Sequence, residues 1–272
     1  MRGPRKTVRT FPILRVRWSK EEGTSVRKIA IIADIHGNLP ALEAVLAAVA
    51  AEGVERIVCL GDVATLGPQP REVIARLRAL GCPVVMGNTD AIVLAPQPDA
   101  GALADVPASN EDFDRWCAAQ LTPDDLAYLR TFQPTISLAL DDAGTLLCYH
   151  GSPRSYDERI TAETPDDALH EMLAATPAQM YVGGHTHQQM LRRHRDALVL
   201  NPGAVGFVKD AIPPAALIRN PSWAEYAVIG SDGSQLDVSL RRVPFDLDAL
   251  FAAMDATGIP RARWRKGDWR RV

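Results

Sequence analysis

Thiol chemistry and membrane spans are what this chain most conspicuously lacks. Only four of its 272 residues are cysteine (Cys59, Cys82, Cys117, Cys148), and no two form a C-x-x-C pair. That spacing argues against a thiolate zinc site. Cys59 and Cys148 lie inside apolar runs, where a reduced cysteine packs as a small hydrophobe. No stretch approaches the roughly 20 consecutive apolar residues that a membrane helix needs. No apolar segment with a small-residue cleavage site opens the chain, so a cytoplasmic protein is expected. Repeats and low-complexity tracts are also absent. Aromatics make up 6% of the residues, and Trp116, Trp223, Trp264 and Trp269 stand at no fixed spacing that would make a base-stacking platform.

Charge of one sign is scarce in the middle of the chain. Residues 1–28 hold nine Lys/Arg and two Glu, and residues 261–272 hold six Lys/Arg and one Asp. The remainder, 29–260, carries 15 basic against 30 acidic residues. A nucleic-acid-binding body would present a basic face instead. The expected organisation is a basic, flexible N-terminal extension (1–27), one α/β domain (28–260) and a basic C-terminal tail (261–272), both ends solvated.

What is present is a regular alternation. Lys28–Ala33 is a short apolar run of buried-strand type. Helical spacing follows at Leu42, Val45, Leu46 and Val49, with Pro40 in the first turn and Gly53 as the stop. A second strand-like run (Ile57–Leu60), a helix from Arg71 to Leu80 ended by Gly81, and a third run (Pro83–Met86) complete two crossovers on a parallel sheet. Beyond a polar, helical stretch at 96–134, with Asn110 and Thr122 as candidate caps, strands are expected at Thr135–Leu140 and Thr145–Tyr149 around a hairpin turn. A helix near 165–175 leads to Gln179–Val182. The rest reads mostly as β up to a last helix at Leu247–Met254. These elements make one α/β domain with helices outside two packed sheets.

Five of the strands end alike. Asp34-Ile35-His36-Gly37-Asn38 follows the first, Gly61-Asp62 the second and Gly87-Asn88-Thr89-Asp90 the third; His150-Gly151 follows Tyr149, and Gly183-Gly184-His185-Thr186-His187 follows Val182. Ligand sites of open α/β sheets form just outside the carboxyl ends of strands. Four of the six histidines stand at these ends. Any one motif is a common turn, but two imidazoles at i and i+2 on one strand end have little packing purpose. Imidazole, carboxylate and amide donors without thiolate suit Mn first, with Fe, Zn, Ni or Co as alternatives. Asp34, His36, Asp62, Asn88, His150, His185 and His187 are too many for one open site and fit two divalent ions sharing a carboxylate. Such a pair clamps a phosphoryl oxygen and activates a water.

With these residues in hand, the chain resembles the calcineurin-like metallophosphoesterases, whose motifs run D-x-H, G-D, G-N-H-D/E, H and G-H-x-H in this order. The resemblance covers 28 to about 206, including Asn201-Pro202-Gly203-Ala204-Val205-Gly206, and is nearest the small bacterial and archaeal YfcE-type phosphodiesterases. It implies a four-layer αββα sandwich of two mixed sheets flanked by helices. It also implies one ion held by Asp34, His36, Asp62 and His187 and another by Asp62, Asn88, His150 and His185, with Asp62 bridging. The family's G-N-H-D/E histidine is replaced by Thr89, whose hydroxyl is too weak an acid to protonate a leaving group. Asp90 is carried over as the catalytic position, without the imidazole it would orient.

Arg154 is expected to grip substrate phosphate, with Arg159 beside it, against the plainer alternative of a surface pair with Asp157 or Glu158. His170 and His194 read as surface residues. The leading expectation is a phosphodiesterase or phosphatase acting on small, possibly nucleotide, esters. A dinucleoside polyphosphate hydrolase or a protein phosphatase is the second reading. A non-catalytic metal-binding scaffold is the third, set back by the presence of all seven ligand candidates.

Overall fold

The protein is described by a computed structural model over residues 13–16, 27–54, 56–95, 110–140, 144–211, 218–231 and 235–272. Its first half runs β1 (Ile13–Val16), β2 (Arg27–Ile32), α1 (Leu39–Ala51), β3 (Arg56–Cys59), α2 (Pro70–Leu80), α3 (Asn88–Leu94), α4 (Asn110–Gln120), α5 (Pro123–Leu129), β4 (Thr135–Ala139) and β5 (Thr145–Cys148). The second half runs α6 (Asp166–Leu173), β6 (Met180–Val182), β7 (Met190–His194), β8 (Ala197–Asn201), β9 (Asp210–Ala211), β10 (Ile218–Pro221), β11 (Trp223–Ser231), β12 (Leu236–Pro244), α7 (Leu247–Thr257), α8 (Ala262–Gly267) and β13 (Trp269–Arg270).

Alternation along β2 shows how the layers form. Ile29 and Ile31 point into a core shared with Ile136, Leu146, Cys148, Val182 and Leu200 of the opposite sheet. Ala30 and Ile32 point the other way, into a core filled by Leu42 and Val45 of α1, Val73 and Leu77 of α2, and Leu250 of α7. Both faces are dry, which is why the strand reads as one continuous apolar run. A third core, with Leu147, Tyr149, Tyr181 and Val199 against Leu169 and Leu173 of α6, covers the far face of the second sheet. Three cores between four layers make the αββα sandwich. The sheets run β12-β11-β2-β3 and β1-β4-β5-β6-β8-β7, and each mixes parallel and antiparallel pairs.

Local signals account for the boundaries. Asn38 caps α1 by accepting from the Ala41 amide at 3.2 Å. Thr122 caps α5 in a capping box with Asp125. Gly81 closes α2 at φ +63°.

Three expectations change. The third strand, Pro83–Met86, is reduced to isolated bridges from Val84 to Cys59 and from Val85 to Gln133. Proline contributes no amide to a ladder, so the run is pinned by only a few backbone bonds. Of the N-terminal extension, Ile13–Val16 pairs in parallel with β4 at the edge of the six-stranded sheet, and Arg27 begins β2; the remainder lies outside the described residues, as do turn residues 141–143.

The C-terminal stretch is no solvated tail. Its β13 adds in parallel to β10, which pairs with β9. Trp269 is 6% exposed, its ring 5.4 Å from Phe207 and 5.6 Å from Phe245. Trp269→Ala is expected to cost about 3 kcal/mol through the cavity left behind. For a chain of this size that lowers Tm by roughly 6–10 °C. A loss below about 2 °C in calorimetry would restore the tail reading.

Candidate metal centre

The seven ligand-type residues converge although they come from five strand ends. Two tight groups result, Asp34 with His36 and His187, and Asp62 with His150 and His185; within each, the ligand atoms lie within 4.8 Å of one another. Asp62 faces both, its Oδ2 being 3.7 Å from His36 Nε2 and 3.4 Å from His150 Nε2. Asn88 Oδ1 lies 3.0 Å from both His150 Nε2 and His185 Nδ1.

The backbone is bent to achieve this. Asp34 (φ 55°), His36 (49°), Asp62 (54°), His185 (67°) and His187 (59°) all occupy the left-handed region. That conformation costs a non-glycine residue on the order of 1–2 kcal/mol, and such residues cluster where surrounding structure over-determines them for a purpose. Neighbouring glycines let the loops meet. A Cβ on Gly61 would stand 2.5 Å from the Gly87 nitrogen, and one on Gly87 would stand 2.1 Å from Asp62 Oδ1.

Hydrogen bonds orient the rings for an ion. His187 Nδ1 lies 2.6 Å from the Phe207 carbonyl and His150 Nδ1 lies 2.7 Å from the Leu60 carbonyl. A carbonyl only accepts, so both rings carry hydrogen on Nδ1, which directs Nε2 inward. There His187 Nε2 meets His36 Nε2 at 3.1 Å and Asp34 Oδ1 at 3.4 Å. Asp34 Oδ1 is buried and has no hydrogen-bond partner. Acceptors crowd against acceptors in a dry space, an arrangement that calls for a cation or a proton between them.

The electrostatics of the bare site say the same. Burial opposes a charged His150, yet the Asp62 carboxylate pushes its pKa up to about 10. Burial lowers His36 to about 3 despite Asp62. Asp62 and Asp34 stay below the ordinary carboxylate range against the pull of burial, held there by His150 and by His187 respectively. The donor set therefore fits divalent cations.

Asp90 sits beneath the ligands and not among them. Its carboxylate accepts from the backbone amides of Asp62 (2.8 Å), Val63 (2.9 Å) and Gly87 (3.1 Å), tying two ligand-bearing loops together. Both oxygens at this position are therefore occupied by backbone amides. Burial and then Asp62 raise its pKa to about 7. Thr89 donates its backbone amide to Asp62 Oδ1 at 3.0 Å, and its buried hydroxyl has no partner.

Arg154 is not brought to the ligands. Its guanidinium is engaged by Glu158 (Nη2 to Oε1, 2.8 Å) and Glu171 (3.2 Å), the plainer of the two arrangements weighed for it. His194 is buried, not surface, with Nδ1 3.7 Å from Asp166. Two further residues lie beside the ligands, Asn201 from the run matched in the sequence and Lys209, which carried no sequence signal of its own. The Asn201 amide braces the histidine loop by donating to the Gly184 carbonyl (2.7 Å) and to Thr186 Oγ1 (3.0 Å). Lys209 is joined to the loop through its backbone amide and the His187 carbonyl at 3.3 Å.

A four-layer αββα sandwich whose strand ends gather histidines, carboxylates and an amide defines a class, the metallophosphoesterase fold. The match of residues 28–220 to the calcineurin-like phosphoesterase superfamily domain is explicit, and the chain belongs to that family. A metallophosphoesterase of Sphaerobacter thermophilus superposes with a TM-score of 0.71 at 27% identity, covering 90% of this chain and 99% of that one. A hypothetical protein of Pyrococcus horikoshii superposes with the same TM-score at 22% identity, covering 86% of this chain and 94% of that one. An uncharacterized protein of Methanocaldococcus jannaschii is 25% identical over 254 residues, 85% of this chain and 93% of its own length. Among the described residues no helix is long and apolar enough to cross a membrane.

Proposed function

We propose that the protein is a two-ion phosphoesterase, a phosphodiesterase or phosphatase acting on small phosphate esters in the cytosol. Asp34, His36, Asp62 and His187 would hold one divalent ion, and Asp62, Asn88, His150 and His185 the other, with Mn the leading candidate. When bound, the ions supply Lewis acidity to the phosphoryl oxygens and to the attacking water. The chain's own part is orientation. The carbonyls of Phe207 and Leu60 fix the two ring tautomers, Asp90 clamps the Asp62 and Asn88 loops, and Asn201 braces the His185–His187 turn. The supporting observation is the convergence of the ligand-type side chains into two tight groups, with the buried Asp34 Oδ1 left without a hydrogen-bond partner. Retention of the whole ligand set disfavours a non-catalytic scaffold.

The test is reconstitution. Chelated protein should show no turnover on a panel of mono-, di- and pyrophosphate esters, and Mn²⁺ should restore it with near two ions per chain by metal analysis. One ion per chain, with His150 and His185 unliganded in anomalous maps, would leave the two-ion reading without support.

A further inference from the structure

Beside the ligand set lie two cationic side chains, Lys209 and Arg159. Neither the Lys209 nor the Arg159 side chain has an ion-pair or hydrogen-bond partner among the described residues. Both are near the centre. Lys209 follows Val208 and Phe207, whose carbonyl orients His187, and its own amide donates to the His187 carbonyl. Arg159 lies close enough for its charge to act on both His185 and Lys209. Lys209 is partly buried and has the Arg159 charge beside it. Holding an ammonium group half-dry beside a guanidinium is unfavourable unless an anion completes the site.

The ions do not supply that role. Two divalent ions set against the carboxylates of Asp34 and Asp62 leave two positive charges, which a single phosphate group neutralises. Lys209 and Arg159 therefore provide for a second phosphate. Lys209 also lines a cavity of about 300 Å³, bordered by Thr186, Gln188, Glu163, Glu225 and Arg242, at the lower end of the usual size for ligand sites. Glu225 is 2% exposed, with Oε1 held by Arg242 at 3.0 Å and Oε2 left without a partner. A wall that carries Glu163, Asp210 and the unpartnered Glu225 Oε2 offers acceptors to hydroxyl or amine groups.

We propose that Lys209 and Arg159 bind the leaving phosphate of a diphosphate ester, and that the adjoining cavity receives the hydroxyl-rich group attached to it. The substrate class is then R–O–phosphate–phosphate, with R a sugar or nucleoside; this rests on the phosphoesterase reading above. Water adds to the terminal phosphorus held at the ligand set, and the bond from that phosphorus to the bridging oxygen breaks. The electron pair leaves with the inner phosphate. The products are R–O–phosphate and orthophosphate, and one proton of the water is released. A phosphate monoester leaves without a proton donor because its second ionisation lies near pH 6. That matches the absence of an imidazole at Thr89 and gives the two cations their task of stabilising the departing charge.

The experiment uses Mn²⁺-loaded full-length protein with free Mn²⁺ buffered. Wild type should convert ADP to AMP and orthophosphate and stop there. Lys209→Gln and Arg159→Gln should each lower the ratio of kcat/KM for ADP to that for bis(4-nitrophenyl) phosphate by roughly 10–100-fold, the worth of one charge-assisted phosphate contact. Calorimetry with the methylene-bridged ADP analogue should show Kd weakened by the same factor while two ions remain bound. An unchanged ratio, or wild type that cleaves the nitrophenyl ester but leaves ADP intact, would overturn the assignment. If neither ester is cleaved, the phosphoesterase reading fails separately. The calorimetry then decides alone: unaltered analogue binding in both variants overturns the subsite.

Discussion

Asp62→Asn is expected to remove at least about 10³ of kcat/KM, some 4 kcal/mol of transition-state stabilisation, and to lower the ion content from two per chain to one or none. The substitution changes little in size, so the fold should persist. What it removes is the charge that faces both groups of ligands, 3.7 Å from His36 and 3.4 Å from His150. An amide oxygen in its place is neutral and bridges two cations poorly. A thermal readout separates folding from chemistry. At a hundred times its dissociation constant, each ion bound only by the native state adds about 2.7 kcal/mol, or roughly 5–10 °C in Tm for a chain of this size. Wild type should show that rise on adding Mn²⁺, and Asp62→Asn should lose most of it while its metal-free Tm stays close to wild type. A variant that keeps two ions and full activity would show that Asp62 does not bridge.

The sequence discloses such a site because its chemistry sits at the ends of apolar runs. Strands buried on both faces, like Ile29–Ala33, carry no polar residue until they end. The first polar residues beyond them, Asp34, Asp62, His150 and His185, therefore stand out without any alignment. Helix boundaries were legible for a related reason: Thr122 and Gly81 are local signals that act within a few residues of themselves.

What stayed hidden depends on partners far along the chain. The two residues of β13 form a strand only because β10 lies beside them, and Trp269 is core only because Phe207 and Phe245 are there to receive it. Charge counting read that segment as a tail because Arg263, Arg265, Lys266, Arg270 and Arg271 outnumber its apolar residues. Arg270 and Arg271, however, are paired with Asp210 and Asp248. Asp90 has its expected catalytic place from the motif, whereas its bonds to the amides of Asp62, Val63 and Gly87 are visible only in the fold. The left-handed backbone at five ligands leaves no mark on composition, since the usual marker of positive φ is glycine and these residues are aspartate and histidine.

Thr89 turns this geometry into the second large effect. The position that the resembled motif gives to an imidazole here holds a buried hydroxyl with no partner, next in sequence to an Asp90 carboxylate that accepts from backbone amides. The Thr89 hydroxyl is too weak an acid for that task, and both oxygens of Asp90 are taken up by the amides of Asp62, Val63 and Gly87, so neither side chain is placed to protonate a departing alkoxide; a missing general acid costs about 10²–10⁴ in rate when the leaving group needs one. Among phosphodiesters of graded alcohols and phenols at saturating Mn²⁺, the rate should therefore fall steeply as the leaving-group pKa rises. Aryl esters should exceed alkyl esters by at least 10². Thr89→His should flatten the slope, chiefly by accelerating the poor leaving groups. The gain should be modest, because Asp90 would have to release an amide to orient the new ring. Single-turnover measurements keep chemistry apart from product release. If wild type already shows a flat slope in single turnovers, a proton donor exists that the ligand loops do not contain. Lys209 is the first group to substitute in that case, for it is a partly buried ammonium with a lowered pKa on the strand of chain that orients His187. A steep slope that Thr89→His leaves untouched would instead show that the imidazole cannot reach the leaving oxygen while Asp90 keeps its three amides.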